Sequence, residues 1–451
     1  MVFFSKMYCS RYVKWLLLAL VILCLCSSKK LIQDALDIAA QQVEEEDERF
    51  ITYLPHSGLH NQRIALINAM LLAKALDRTL LMPEINLGHA IYWRPSSTLS
   101  RQLDICPRLQ KRLKNNKKKR AFRSLQCSAF KNYVPVSVDS IFDISAAQEL
   151  GIRTEQRLDM KRDYLKRHNK LFTHFKRKGY KYSIPDSERY SYQLHDGTED
   201  DDTSKFVSHI EIEHLRQRPE RYIEFGSLFS TTRLSLNQPE LIWTQEHLHR
   251  EIGTRHPLVK AHAQKVISKL GGKGRFISVH LRQGDGIFKH LLQETLTEIE
   301  GKLQLKLNQT DGKFFARGRG SPSIIIPATK DTTTRRLEKC LAVQDQGIPG
   351  LDVIFLATDA PKPRMTLKTL FHQYPCTFTL ADFPTSWKES KRKPSRTNIL
   401  QNSQHVKLGY LLYPMMDAEI ASHASLFIGT PKSTYSSYVN YRNQHNREHC
   451  F

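Results

Sequence analysis

The sequence predicts an α/β protein of two Rossmann-like halves behind an N-terminal membrane anchor. Three observations carry this. A strand, a glycine turn, a helix and a second strand follow one another between Phe50 and Met82. A buried strand at Phe276–Leu281 runs out into a charged loop. The 451 residues exceed what one ordinary core fills, and the 40% apolar content is enough for two domains. The net charge of +23 implies attraction to anions, whether nucleic acid, headgroups, acidic glycans or a nucleotide diphosphate, without choosing among them.

Taken in order, the chain begins with Trp15–Cys26, a continuous apolar run behind Lys6, Arg11 and Lys14. It is shorter than the ~20 residues of a full span, so a removed signal peptide, leaving a secreted protein, competes with the expected uncleaved anchor over residues 15–28. Residues 1–14 would then be a cytoplasmic tail and 29–49 a stem. The catalytic part would lie in the lumen of the Golgi or endoplasmic reticulum. Cys9, Cys24 and Cys26 belong to the anchor region, which leaves Cys106, Cys127, Cys340, Cys376 and Cys450. No Cys-x-x-Cys pair and no zinc-type spacing occurs among these, so lumenal disulfides are expected and a metal site is not. Cys106 with Cys127 is the expected pair, and the odd count leaves one thiol or an intermolecular bridge over. Asn308-Gln-Thr310 is the only glycosylation sequon.

In the first half, Phe50–Leu54 reads as a strand, Gly58 permits a sharp turn, and Asn61–Leu76 has helical period with Ile64, Ile67, Leu71 and Ala75 in one stripe. Thr79–Met82 supplies the next strand. The turn of such a βαβ unit presents backbone N–H groups to an anion, and His56, His60, Asn61 and Arg63 lie in or beside it. The alternative is an Asn61 helix cap with two solvent-exposed histidines. Cys106–Arg123 holds nine Lys/Arg and no carboxylate, and Met160–Lys181 holds nine more. Such runs are mostly solvated surface. Aromatic residues interleave the second in a way nucleic acid could use, but a lumenal protein meets acidic glycans or headgroups instead. Tyr222–Phe225 is a further strand, with Ser230, Thr231 and Arg233 after it as cleft-lining candidates.

The second half alternates more clearly. Thr244–Leu270 reads as one or two helices closed by a cap and turn at Gly271–Gly274. In the strand that follows, Ile277, Val279 and Leu281 share one face while Ser278, His280 and Arg282 share the other. His280 and Arg282 therefore emerge at the carboxyl end, where open α/β sheets bind ligands. The fork of Arg282 suits a diphosphate, Gly284 leaves room for close approach, and Asp285 could hold the arginine or a sugar hydroxyl. A plain Arg–Asp ion pair is the alternative. Leu351–Asp359 is a second buried strand ending in a carboxylate, and Thr377–Leu380 a third. A helix over Leu411–Ala424 feeds the strand Leu426–Gly429. Thr430–Ser437, dense in hydroxyls, then turns into a short helix, either as a phosphate cradle or as an ordinary Ser/Thr cap.

Four of these segments resemble, in order, motifs of the GDP-fucose protein O-fucosyltransferase-like family. His280-Leu-Arg-Gln-Gly-Asp285 resembles its His-x-Arg-x-Gly-Asp element, His56–Arg63 its Gly-x-x-Asn-Gln loop, and Ala357-Thr-Asp359 its Ala-Thr-Asp strand end. Phe427–Ser436 resembles its Ser-Thr-Phe-Ser turn. Tyr435 stands where phenylalanine is frequent and Gln283 where a base is. Matches spread over about 380 residues are stronger together than singly.

The resemblance implies a GT-B arrangement, with an acceptor-side domain over 50–250 and a GDP-fucose-binding domain over 251–451. It implies inverting transfer of fucose from GDP-fucose to a hydroxyl of a protein or glycan. Donor contacts carry over to Gly58, Asn61, His280, Arg282, Asp285, Asp359, Ser433, Thr434 and Tyr435, with Asp359 on the guanine or ribose side and the hydroxyls at the β-phosphate. Gln62 is a further candidate. Arg282 and Asn61 join His56 and His60 as catalytic candidates, and the two histidines or Asp285 could serve as base. No Asp-x-Asp pair stands at a strand end, so no metal and no cofactor is expected. The partners implied are GDP-fucose, an acceptor and, through the anchor, a membrane; nucleic acid is not among them. Two rivals stay open: a non-catalytic lumenal protein that binds acidic polysaccharide, and an anchored transferase with another nucleotide donor, for which Arg63 is the available loop cation.

Overall fold

The computed structural model describes residues 48–111, 116–168, 180–197, 205–284, 286–308, 333–347, 351–383 and 408–449. The chain divides by its contacts into two compact units, Met1–Phe50 and Ile51–Phe451. The expected tail and anchor, with the stem to residue 47, lie outside the described residues, as do Asn308's sequon partners and Cys450. No helix among the described residues is long and apolar enough to cross a membrane.

Two sheets organise the larger unit. The first takes β1 (Phe50–Tyr53), β2 (Thr79–Met82), β5 (Thr154–Gln156), β6 (Lys181–Ile184) and β9 (Tyr222–Phe225) in the order β5-β2-β1-β9-β6. Its pairs β2 with β5 and β6 with β9 are parallel. A short antiparallel ladder joins β3 (Ile85–Asn86) to β4 (Pro135–Val136), and a parallel trio holds β7 (Tyr192–His195), β8 (Ser208–Glu211) and β10 (Leu234–Ser235). The second sheet runs β13-β12-β11-β14, all parallel, from β11 (Ile277–Leu281), β12 (Ile354–Thr358), β13 (Thr377–Phe378) and β14 (Leu426–Ile428). The α/β class is as expected.

β11 shows why the sequence folds this way. Ile277, Val279 and Leu281 join Ile354, Leu356 and Ile428 in one cluster with Ile299 and Leu303 of the helix Leu292–Asn308. On the opposite face Phe355 and Ala357 enter the main core, and the Ser278 hydroxyl donates to the Ala421 carbonyl at 2.9 Å. Both faces are covered, as parallel sheets require. The main core runs without a break from Ile51 to Val439.

Four helices matter for the site: α1 (Leu59–Leu76), α2 (Ser96–Gln110), α3 (Leu408–Ser422) and α4 (Thr434–His449). α4 packs against α1 and α3. The region 244–270 resolves into two helices, each opened by a proline, Pro239 and Pro257. Gly271, Gly272 and Gly274 adopt positive φ, and the Gly272 N–H caps the Ile267 carbonyl at 2.9 Å, which is the expected turn. Two expectations are corrected. The third strand stops at Phe378, because Thr379 and Asp382 form a capping box for a short turn. The helix after the hydroxyl-rich turn is not short but 16 residues long. A second disulfide, Cys340–Cys376, accompanies the expected Cys106–Cys127.

Candidate functional site

The loop leaving β11 is clasped from two sides. The Thr430 hydroxyl, just past β14, donates to the His280 carbonyl at 2.8 Å and accepts the Arg282 N–H at 3.0 Å. From β12, one oxygen of Asp359 accepts the Gln283 N–H at 2.9 Å and the other accepts the Gly284 N–H at 3.0 Å. A Cβ on Gly284 would lie 2.7 Å from Asp359 Oδ2, so this position is glycine because the carboxylate comes so close. Both oxygens of Asp359 thus hold the loop, each with acceptor capacity left over. Arg282 is half-buried, with its guanidinium 4.5 Å from the Phe288 ring centre. Asp285 lies outside the described residues.

Opposite this loop two helix N-termini meet. α1 starts with no side-chain cap, and a Cβ on Gly58 would meet nothing within 4 Å. The left-handed residue is Ser57, at φ 70, while Gly58 is extended at φ −78. Gly58 therefore serves not to make the turn, as expected, but to leave open space beside the first N–H groups of α1. α4 opens behind Ser433, whose hydroxyl oxygen accepts the Ser436 N–H at 3.4 Å, so Ser433 is an ordinary cap. The Thr434 hydroxyl donates to Asn61 Oδ1 at 2.6 Å. This bond joins the first turns of two helices through residues 373 positions apart, and the partial positive charge of both helix ends converges there.

Behind these turns lies an aromatic wall. The Tyr435 ring is 4.2 Å from His280 and 5.0 Å from His60, and Tyr438 lies 4.8 Å from His60. His280 Nδ1 and the Ser436 hydroxyl are 2.8 Å apart. Burial, then Arg282, lowers His280 to about 3. Burial, then Arg63, His280 and Arg282, lowers His60 to about 3, and neither of its ring nitrogens finds a partner among the described residues. His56 is lowered to about 4 by burial and by Arg233 and Arg189, and both its nitrogens face serines: Ser57 at 2.7 Å and Ser227 at 2.6 Å. The solvent-exposed alternative for these histidines is wrong. Burial keeps both rings neutral and weakly basic.

Other candidates turn inward. Arg63 is fully buried, donating to the carbonyls of Ile252 at 2.9 Å and His249 at 2.6 Å beneath Tyr438, so the loop cation a different donor would need is committed to the core. Gln62 brackets Asn86, donating to its carbonyl at 3.0 Å and accepting its N–H at 2.8 Å. Ser230 and Arg233 are buried, Arg233 donating to the Tyr192 carbonyl, and only Thr231 stays exposed.

Sequence reasoning missed Asp417 on α3. Its Oδ1 is buried without a partner among the described residues, burial pushes the carboxyl well up, and its charge acts on Tyr435, whose hydroxyl is also unpartnered. The available signal was an acidic residue directly behind the apolar run Leu411–Met416. Glu84, just after β2, was missed too. Burial, then Asp159, pushes it up to about 7, and it lines a narrow gap with His56 and Ser57. No group of three or more His, Cys, Asp or Glu among the described residues could hold a metal ion.

A family model described as GDP-fucose protein O-fucosyltransferase matches residues 50–446. Comparison with curated proteins gave no match. Among solved structures, POFUT1 in complex with GDP is similar at 14% identity over 88% of this chain and 95% of that chain, with a TM-score of 0.40. NodZ α-1,6-fucosyltransferase soaked with GDP-fucose is similar at 13% over 87% and 92%, at 0.38. The fucosyltransferase NodZ from Bradyrhizobium follows at 14% over 87% and 93%, at 0.36.

Proposed function

The chain belongs to the GDP-fucose protein O-fucosyltransferase family and is a fucosyltransferase, and from that premise we propose that it carries fucose from GDP-fucose to a hydroxyl of a protein or glycan, inverting and metal-independent, as a lumenal enzyme anchored by residues 15–28. In this proposal residues 50–250 present the acceptor and 251–451 hold the donor. The observation that supports it is the bond between Thr434 and Asn61, which brings two of the four resembling segments into one site beside the Arg282 loop.

In the reaction the acceptor oxygen attacks the sugar carbon from the face opposite the β-phosphate oxygen, which leaves with the bonding pair. The charge gathering on the diphosphate faces Arg282 and the first N–H groups of α1 and α4, fixed positive groups that need no reorganisation. Asn61 and Thr434 hold those two helix ends in register. Gly58 gives the donor room, and His280 and Tyr435 form the wall behind it. Asp417, whose Oδ1 is buried without a partner among the described residues, can accept the adjacent N–H donors of a guanine edge, as Asp359 can with its remaining lone pairs. Glu84, pushed up to about 7 by burial and then by Asp159 and lying beside the Ser57 loop, is the candidate to take the acceptor proton.

Calorimetric titration of GDP and GDP-fucose in chelator tests the reading, with Arg282→Ala alongside the parent. The expected result is binding by the parent that weakens tenfold or more in the variant, as loss of a charge-assisted hydrogen bond of about 1.5–3 kcal/mol implies. A parent that binds neither nucleotide would sink it.

A further inference from the structure

A cavity of about 440 Å³ opens between the stretch that follows β3 and the segment tied by Cys106–Cys127. Ile91 is part of its wall, and the Ile91 carbonyl accepts the Ser57 N–H at 2.5 Å in an isolated antiparallel bridge. The cavity is thereby fastened to the loop that carries Gly58 and Asn61. The tied segment has a core of its own, in which Leu99, Leu103, Phe130 and Tyr133 pack around the disulfide. That core also takes in Leu54, just past β1, and Ile91 of the cavity wall.

The lining is that of a sugar seat. Tyr92 offers an exposed ring, at 68%, for the C–H face of a saccharide. Gln102, Gln126 and Ser128 supply amides and a hydroxyl, and Arg94 and His89 supply cationic or donor groups. Gln102 is fixed, buried and donating to the Leu125 carbonyl at 3.1 Å. The volume admits about one or two sugar rings. No carboxylate lines it. Around it Arg101, Arg108, Lys111, Arg120 and Arg123 are exposed, while Asp104, the one carboxylate between residues 96 and 133, is paired with Arg108 at 2.7 Å. A field of one sign over a concave polar site selects anions.

We propose that this cavity seats an anionic saccharide, the acceptor end of a glycan carrying carboxylate groups, next to the transfer site. Naming the occupant an acceptor rests on the fucosyl-transfer reading above. Calorimetry on the full protein separates the two ideas. The probes are a tetrasaccharide containing glucuronic acid, a neutral glucose tetrasaccharide and GDP, titrated into the parent and into Tyr92→Ala, Arg94→Ala and the cavity-filling Ser128→Trp, each checked by thermal melting. The acidic sugar should bind the parent at least tenfold more tightly than the neutral one and weaken tenfold or more in each folded variant, with GDP affinity unchanged throughout. No binding of the acidic sugar, equal binding of the two sugars, or affinity untouched by the variants overturns the proposal. So does a serine-containing peptide that binds the parent in place of the sugar and is lost in the same variants. If the acidic sugar binds as expected and GDP does not, the seat stands and the donor reading falls.

Discussion

Gly284 ties the chemistry of the loop to a single hydrogen atom. Its N–H meets one oxygen of Asp359 and the Gln283 N–H meets the other, and a methyl group there would sit 2.7 Å from Oδ2. That distance is too short for any real Cβ contact, and the carboxylate is not the free end of a long side chain, so the loop must lift off β12. Arg282 is two residues away and would lose its aim while keeping its charge. We therefore expect Gly284→Ala to weaken GDP binding tenfold or more while costing about 1–2 kcal/mol of stability. Calorimetry and thermal melting of the same sample check both numbers. Parent affinity in the variant would show that the Asp359 clasp does not position the arginine.

At the scale of elements, the two helix N-termini act as one device. Thr434 and Asn61 are linked at 2.6 Å, and each sits in the first turn of its helix. A double-mutant cycle of Asn61→Ala and Thr434→Val on GDP affinity should give a coupling of about 1 kcal/mol, the usual net worth of a neutral hydrogen bond. Purely additive effects would mean that the helix ends bind independently. The elements themselves were legible in the sequence. Alternation fixed both faces of β11, the apolar stripe marked α1, and the glycines marked the turn before β11. What was not legible is what comes from far along the chain. His60 reads as exposed until Tyr435 and Tyr438 of α4 cover it. That Asp359 also clasps a loop some 75 residues away is equally invisible in its own stretch of sequence. Spacing alone could not choose Cys376 as the partner of Cys340.

Over the whole molecule, burial sets an acid limit on stability. Seven histidines, His56, His60, His249, His256, His262, His280 and His445, are lowered from the ordinary 6.5, chiefly by burial. Four carboxyls, Glu84, Asp186, Asp352 and Asp417, are raised by it. The signs oppose. Below pH 6.5 the unfolded chain binds protons at histidines that the folded chain leaves neutral, so stability rises with pH there. Above about pH 4 the folded chain keeps protons on carboxyls that the unfolded chain releases, so those groups make stability fall with pH up to about 7, where Glu84 and Asp186 titrate. The four histidines lowered most, His56, His60, His249 and His280, outnumber the three carboxyls raised most, Glu84, Asp186 and Asp417, so unfolding takes up protons near pH 5 and stability rises with pH there. The melting temperature should therefore peak between about pH 6 and 7 and fall steeply below. Asp186→Asn removes one opposing carboxyl, which steepens the acid limb and leaves the position of the peak almost unchanged. Melting curves from pH 4.5 to 8 on the parent and this variant decide it: a flat acid limb in the parent would show that the histidines are not held neutral by the fold.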